Sequence, residues 1–236
     1  MIAPEAEFDR YAEDYRDMLA RSVAISGEAP EFFHRYKIAA VREWADRAGL
    51  APRRILDFGS GTGNSVPHLR EMFPSCELLC ADTSARSLAI AQQRHPGAVG
   101  SLLVAPGAPL DLPDGAVDLC FSACVFHHID HAEHGFWLGE LRRVTRPGGA
   151  LVIFEHNPFN PLTQRAVRSC PFDENARLVR PGALARRVCE AGWRDPAVVF
   201  RLFFPGFLAR LRPVEARLAR VPLGAQYSVH AMKDDG

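Results

Sequence analysis

A short apolar strand that runs straight into a glycine-rich turn, Ile55-Leu56-Asp57-Phe58-Gly59-Ser60-Gly61-Thr62-Gly63-Asn64, constrains this chain more than any other feature. Glycines at alternate positions let the backbone turn sharply and come close to a ligand, because no Cβ stands in the way. A helical stretch follows, and a helix N-terminus behind such a turn offers free N–H groups to an anionic or polar ligand. Asp57 adds a fixed negative charge at the same end of the strand. A nucleotide-like cofactor with a cationic end suits that combination.

From Arg54 onward the hydrophobic pattern alternates between strand and helix periods. Strands are predicted at Ile55–Phe58, Glu77–Ala81, Val99–Val104, Val117–Ala123 and Ala150–Phe154, with two more at Ala197–Phe203 and Gln226–Met232. Helices are predicted at Asn64–Phe73, Ala85–Arg94, within His131–Arg146, and at Gly182–Ala191. This alternation predicts an α/β fold with a mostly parallel sheet covered by helices on both faces. Residues 1–50 read as helical, with aromatic residues recurring from Phe8 to Trp44, and are expected to form an N-terminal lid segment. Residues 51–236 form the main domain. The loop 155–181 and the segment 205–224 are insertions in the alternation that can shape a substrate pocket.

Lys+Arg and Asp+Glu are both 28 in 236 residues, so the net charge is zero and bulk electrostatics give no case for nucleic acid or an anionic membrane. Lys37 and Lys233 are the only lysines, which reads as composition bias. Six scattered cysteines form no C-x-x-C pair, and four of them, Cys76, Cys80, Cys120 and Cys124, fall in or beside predicted buried strands. The first 21 residues lack the apolar core of a signal peptide, and no apolar run approaches the ~20 residues of a membrane span. A cytoplasmic location is expected.

In open α/β sheets, ligands bind beyond the carboxyl ends of the strands. The first strand ends in Asp57 and the glycine turn, the second in Asp82-Thr83-Ser84, the third in Ala105-Pro106 and the fourth in Ser122-Ala123. A dinucleotide site prefers G-x-G-x-x-G, but the third position here is Asn64. The spacing Asp57-x-Gly59-x-Gly61-x-Gly63, with Asp82, Asp118-Leu119-Cys120-Phe121-Ser122, Val125-Phe126-His127-His128-Ile129 and Leu141-Arg142-Arg143-Val144-Thr145-Arg146-Pro147-Gly148-Gly149, resembles the class I S-adenosylmethionine-dependent methyltransferases, in their small-molecule branch. The resemblance covers residues 55–154. It implies a Rossmann-like seven-stranded, mostly parallel sheet with helices on both faces and an antiparallel C-terminal strand, with S-adenosylmethionine as cofactor and a small molecule as substrate.

The resemblance also implies roles. The turn Gly59, Ser60, Gly61, Thr62 and Gly63 passes under the amino acid part of the cofactor, with Asp57 near its ammonium. Asp82 binds the ribose hydroxyls, with Thr83 beside it. Ala105, Pro106, Ser122 and Ala123 complete the cofactor site. Relatives often place an aspartate after strand three to meet the adenine amino group; Pro106 stands there, so adenine must meet backbone groups at Ala105 or Gly107, or apolar stacking.

On the substrate side, methyl transfer is an in-line displacement that gains most from proximity and alignment, but a hydroxyl acceptor must also lose a proton. A neutral histidine suits that task. His128 is the preferred base and His127 the second catalytic candidate. Tyr11, Tyr15, Glu155, His156 and Asn157 are candidates for substrate contacts, and Arg165, Arg168 and Arg177 in the insertion read either as binders of an acidic substrate or, more commonly, as a solvated face. The run His127-His128-Ile129-Asp130-His131 falls short of an H-x-H-x-D-H metal motif, which needs histidine where Phe126 stands, so no metal is expected and His131 and His134 read as exposed residues opening a helix. Two other readings remain: a non-catalytic protein that binds the same cofactor, and a dinucleotide-dependent oxidoreductase, disfavoured by Asn64. The acceptor and the oligomeric state are left open.

Overall fold

The computed structural model describes Met18, Val23 and residues 26–235. Its elements run α1 (Pro30–Arg47), β1 (Arg54–Phe58), α2 (Val66–Met72), β2 (Glu77–Asp82), α3 (Ala85–Arg94), β3 (Gly100–Leu103), β4 (Val117–Ala123), α4 (His134–Val144), β5 (Thr145–His156), α5 (Pro161–Arg168), α6 (Pro181–Glu190), β6 (Arg194–Arg201), α7 (Glu215–Leu218) and β7 (Gln226–Met232). The seven strands form one sheet in the order β3-β2-β1-β4-β5-β7-β6. β7 is antiparallel to both neighbours and the other pairings are parallel, so the Rossmann-like architecture expected from the sequence is the one observed.

Side chains alternate across the sheet because successive Cβ atoms point to opposite faces. Ile55, Leu119 and Phe121 pack with Ile38 and Val41 of α1, Val66 and Leu69 of α2 and Leu88 of α3. Leu56, Phe58 and Cys120 pack on the other face with Trp137, Leu138 and Leu141 of α4 and Leu184 and Val188 of α6. Each such fully buried aliphatic or aromatic side chain contributes about 1.5–3 kcal/mol. β1 and β4, covered on both faces, therefore read as near-continuous apolar runs. Cys76, Cys80, Cys120 and Cys170 are buried and free, Cys124 is half-buried and Cys189 is exposed.

Several boundaries differ from expectation. Pro147-Gly148-Gly149 does not end α4 but lies inside β5. α4 stops at Val144, and the ladder to β4 shifts register between Val117 and Leu119. Gly149 permits that shift, since a Cβ there would fall 2.8 Å from the Asp118 carbonyl oxygen. The loop 155–181 contains α5, which Asn160 caps by accepting from Thr163 N–H at 3.0 Å and Pro161 begins. His134 is not exposed. It is buried, donates from Nε2 to Phe126 O at 2.8 Å, and takes a bond at Nδ1 from Arg187 at 2.8 Å. Among the described residues no helix is long and apolar enough to cross a membrane.

Candidate functional site

A cavity of about 680 Å³ lies over the carboxyl ends of β1, β2 and β4. That is the size range of ligand clefts, about 300–1,000 Å³. Its floor is the glycine turn. Gly59, Gly61 and Gly63 all have left-handed backbone, with φ of +77°, +52° and +77°. Gly59 and Ser60 donate to Ala81 O at 2.8 and 3.0 Å, which pins the turn to the end of β2. A Cβ on Gly59 would lie 2.2 Å from a Val125 methyl, so this glycine is required by close packing against the turn after β4. A Cβ on Gly61 would meet no described atom within 4 Å, because this residue faces the cavity.

Asp82 lines the same cavity, with its carboxylate oriented by two backbone donors, Gly61 N–H at 2.8 Å and Ser84 N–H at 2.9 Å. The cap of α3 is Ser84, whose hydroxyl accepts from Ser87 N–H at 3.0 Å. Asp57 is almost fully buried beneath the turn, and its Oδ2 has no hydrogen-bond partner among the described residues. Burial, with the charge of Asp82 adding, pushes its carboxyl up to about 7; Lys37 opposes this. An orphaned carboxylate oxygen, a cavity-facing glycine and an oriented acidic residue fit a nucleoside ligand that carries an ammonium group.

Of the other residues expected at the cofactor, Ser60, Thr62, Thr83, Pro106 and Ala123 line the cavity. Three expected residues lie outside the lining. Gly63 turns the chain behind the loop, against Ala91 and His95 of α3 and its C-cap. Ser122 is fully buried in the sheet. Ala105 lies outside the lining, with its carbonyl accepting from Ala108 N–H at 3.2 Å in a turn.

The same cavity is lined by a cluster of titratable side chains. His127 is 1% exposed; its Nδ1–H donates to Glu155 Oε2 at 2.6 Å. Glu155 is fully buried, and its Oε1 accepts from Val125 and Phe126 N–H at 3.1 and 2.8 Å. Asp173 Oδ1 stands 3.5 Å from His127 Nε2 and 3.3 Å from His128 Nε2. Asp173 comes from a short helical turn, Pro171–Asp173, and the segment after it is tied back by Arg177 N–H donating to His127 O at 2.8 Å.

Burial pushes the His127 imidazole down, but the charge of Glu155, the facing Asp173 carboxylate and the hydrogen bond to Glu155 outweigh it and raise the group to about 10. His127 is therefore an imidazolium. Burial opposes ionisation of Asp173, but the facing imidazoles of His127 and His128 hold it well below the usual carboxylate range. His128 is pushed down by burial, only partly offset by Asp173, and is neutral.

Beside this cluster the chain leaves β4 through Cys124, whose φ of +60° is left-handed. Burial opposes thiolate formation there, but His156 and then Lys37 pull the thiol down to about 7. Lys37 Nζ lies 3.5 Å from Cys124 Sγ. Lys37, read from sequence as a compositional accident, is buried at the cavity wall. His156 lines the cavity. Glu155 and Asn157 do not. Glu155 is consumed by His127 and two backbone donors. Asn157 is fully buried and bonds the carbonyls of Pro222 at 3.2 Å and Gly224 at 2.7 Å. Both side chains are engaged in internal hydrogen bonds. Tyr11 and Tyr15 lie outside the described residues. Asp173 and Gln226 line the site without sequence warning, since neither belongs to a local motif.

Residues 56–153 match the family model described as a methyltransferase domain. The chain is 40% identical over 110 residues to a demethylmenaquinone methyltransferase of Thermus thermophilus, a match covering 46% of this chain and 49% of that one. It is 34% identical over 142 residues to a trans-aconitate 2-methyltransferase of Methylobacterium nodulans, covering 58% and 52%. It thus spans about half the length of these curated relatives. Its fold is similar to the crystal structure of a SAM-dependent methyltransferase from Thermotoga maritima, with a TM-score of 0.65 at 20% identity, covering 97% of this chain and 99% of that one.

Proposed function

Residues 56–153 belong to the class I S-adenosylmethionine-dependent methyltransferase family, and on that premise we propose that this chain methylates a small molecule at an oxygen atom. The observation that carries the proposal is the single cavity that joins the glycine turn and Asp82 to the His127–His128–Asp173 cluster. S-Adenosylmethionine supplies, when bound, an electrophilic methyl group on a sulfonium. The protein's part is to hold the donor, orient the acceptor and take a proton.

In this reading the Gly59–Gly63 turn and Asp57 hold the amino acid end of the donor and Asp82 the ribose. His128, neutral and lining the cavity, takes the hydroxyl proton. His127 cannot accept a proton while it is an imidazolium, so it acts as a positioning residue that fixes Asp173. The cavity is also walled by Phe32, Phe33, Phe203, Phe204 and Phe207. Its Arg212 is already paired with Glu28 at 2.5 Å. Aromatic walls with a neutralised cation favour a hydroxylated ring compound over a polyanion such as an aconitate.

Calorimetry tests the donor half. S-Adenosylhomocysteine is expected to bind and NAD not to. Asp82→Ala is expected to weaken S-adenosylhomocysteine by about 1–3 kcal/mol; unchanged affinity contradicts the ribose assignment. Transfer of labelled methyl to a panel of phenols and other hydroxyl compounds tests the acceptor half. His128→Ala is expected to lower kcat by about 10²–10⁴-fold with S-adenosylhomocysteine affinity intact; full turnover in that variant removes His128 as the base.

A further inference from the structure

We propose that His127, His128 and Asp173 form a binding site for one divalent transition-metal cation of the zinc class, open towards the cavity. Each residue offers one ligand atom, and the three atoms lie within 4.8 Å of one another. The measured edges are 3.5 Å from His127 Nε2 to Asp173 Oδ1 and 3.3 Å from His128 Nε2 to the same oxygen. A cation bonded at about 2.0–2.1 Å to nitrogen and oxygen with tetrahedral angles has ligand edges of about 3.3–3.4 Å. Two of the three edges already have these spacings, and the third is no longer than 4.8 Å.

A second observation points to a ligand. His127 is 1% exposed, and its Nε2 has Asp173 as an electrostatic neighbour but no hydrogen bond among the described residues. Its orientation is not accidental. Glu155 grips the other ring nitrogen at 2.6 Å and is itself held by two backbone N–H groups. A carboxylate on the far nitrogen of a histidine is the arrangement that aims and strengthens a metal-binding imidazole.

Three protein ligands leave a coordination position for a solvent or substrate oxygen. All three ligands line the cavity, so that position faces the acceptor. Uptake displaces any proton on the two Nε2 atoms to solvent. With the cation seated, His128 no longer serves as the base. A hydroxyl oxygen bound at the open position is acidified by the cation and gives its proton to water. The sequence motif pointed away from a metal because its third ligand, Asp173, lies far downstream in the 155–181 insertion.

The test needs no turnover and stands apart from the methyl-transfer reading, which S-adenosylhomocysteine binding decides separately. Chelator-treated full-length protein is titrated with Co²⁺ and followed by visible absorption, then with Zn²⁺ in competition. One equivalent is expected to bind, with d–d bands of a four- or five-coordinate nitrogen–oxygen site and no thiolate charge-transfer band. Asp173→Asn and His128→Ala are each expected to weaken uptake about tenfold or more, with the circular dichroism of the folded protein retained. His127→Gln gives the same loss if it folds; Asp173→Asn and His128→Ala carry the test if it does not. No Co²⁺ uptake, unchanged uptake in these variants, or a thiolate band placing the ion on Cys124 overturns the proposal.

Discussion

Glu155→Ala is expected to destabilise the fold by about 3–5 kcal/mol, measured by denaturant or thermal unfolding. Removing one partner of a buried ion pair leaves the other charge uncompensated, and that is the costly case. The variant strips the His127 imidazolium of its nearest carboxylate and leaves the N–H groups of Val125 and Phe126 without the oxygen they share. Glu155→Gln, which can still accept a hydrogen bond, is expected to lose less. A variant as stable as the parent would show that the cluster is not an ion pair.

The same cluster sets a pH dependence. His127 is raised from an ordinary value of 6.5 to about 10, so its contribution is complete below about pH 6.5 and disappears as pH rises through about 10. Burial opposes ionisation of Glu155, but the charge and hydrogen bond of His127 hold it below its ordinary 4.5, so its contribution is present above about pH 4.5 and is lost as pH falls below that. Stability from the pair is therefore greatest from about pH 5 to 6.5. The alkaline loss is expected to be smaller and to finish at lower pH in Glu155→Gln than in the parent.

Gly59→Ala is expected to cost nearly as much. The left-handed backbone at +77° adds about 1–2 kcal/mol for any residue with a Cβ. The new methyl, 2.2 and 2.8 Å from the two Val125 methyl groups, adds about 1–3 kcal/mol of overpacking. Gly61→Ala separates the two effects. It carries a φ of +52° but meets no described atom within 4 Å, so it is expected to lose only the backbone part in unfolding experiments while weakening S-adenosylhomocysteine. Val125→Ala in the Gly59→Ala background is expected to restore the overpacking part. Additive losses in the double variant would refute the clash.

What could be read in the chain follows the range of the forces involved. Strands β1, β2 and β4 and helix α3 were legible because burial and capping act on neighbours in sequence. The glycine turn was legible because left-handed backbone leaves a compositional trace. β5 was read too short, since Pro147-Gly148-Gly149 signals a break and only the pairing with β4 and β7 overrides it. α5 was hidden among prolines and asparagines that look like a loop, although Asn160-Pro161 is itself a helix start. The cavity's titratable cluster was least legible. Glu155, chosen for its polarity beside a strand end, is engaged in internal hydrogen bonds. Asp173 and Lys37 reach the site through tertiary packing alone, and no spacing rule joins them to His127.

The hydrogen bonds around Asn157 link the two insertions. Asn157 and Asn160 donate to the carbonyls of Pro222, Gly224 and Leu223, and Thr163 donates to Ala225 O at 2.8 Å. The two segments are thus stitched into one cap, and a graft of either from a relative would leave the other's carbonyls facing the wrong donors. Divergence toward a new acceptor has to exchange both pieces in concert, while the nucleoside-facing half of the sheet can remain as it is.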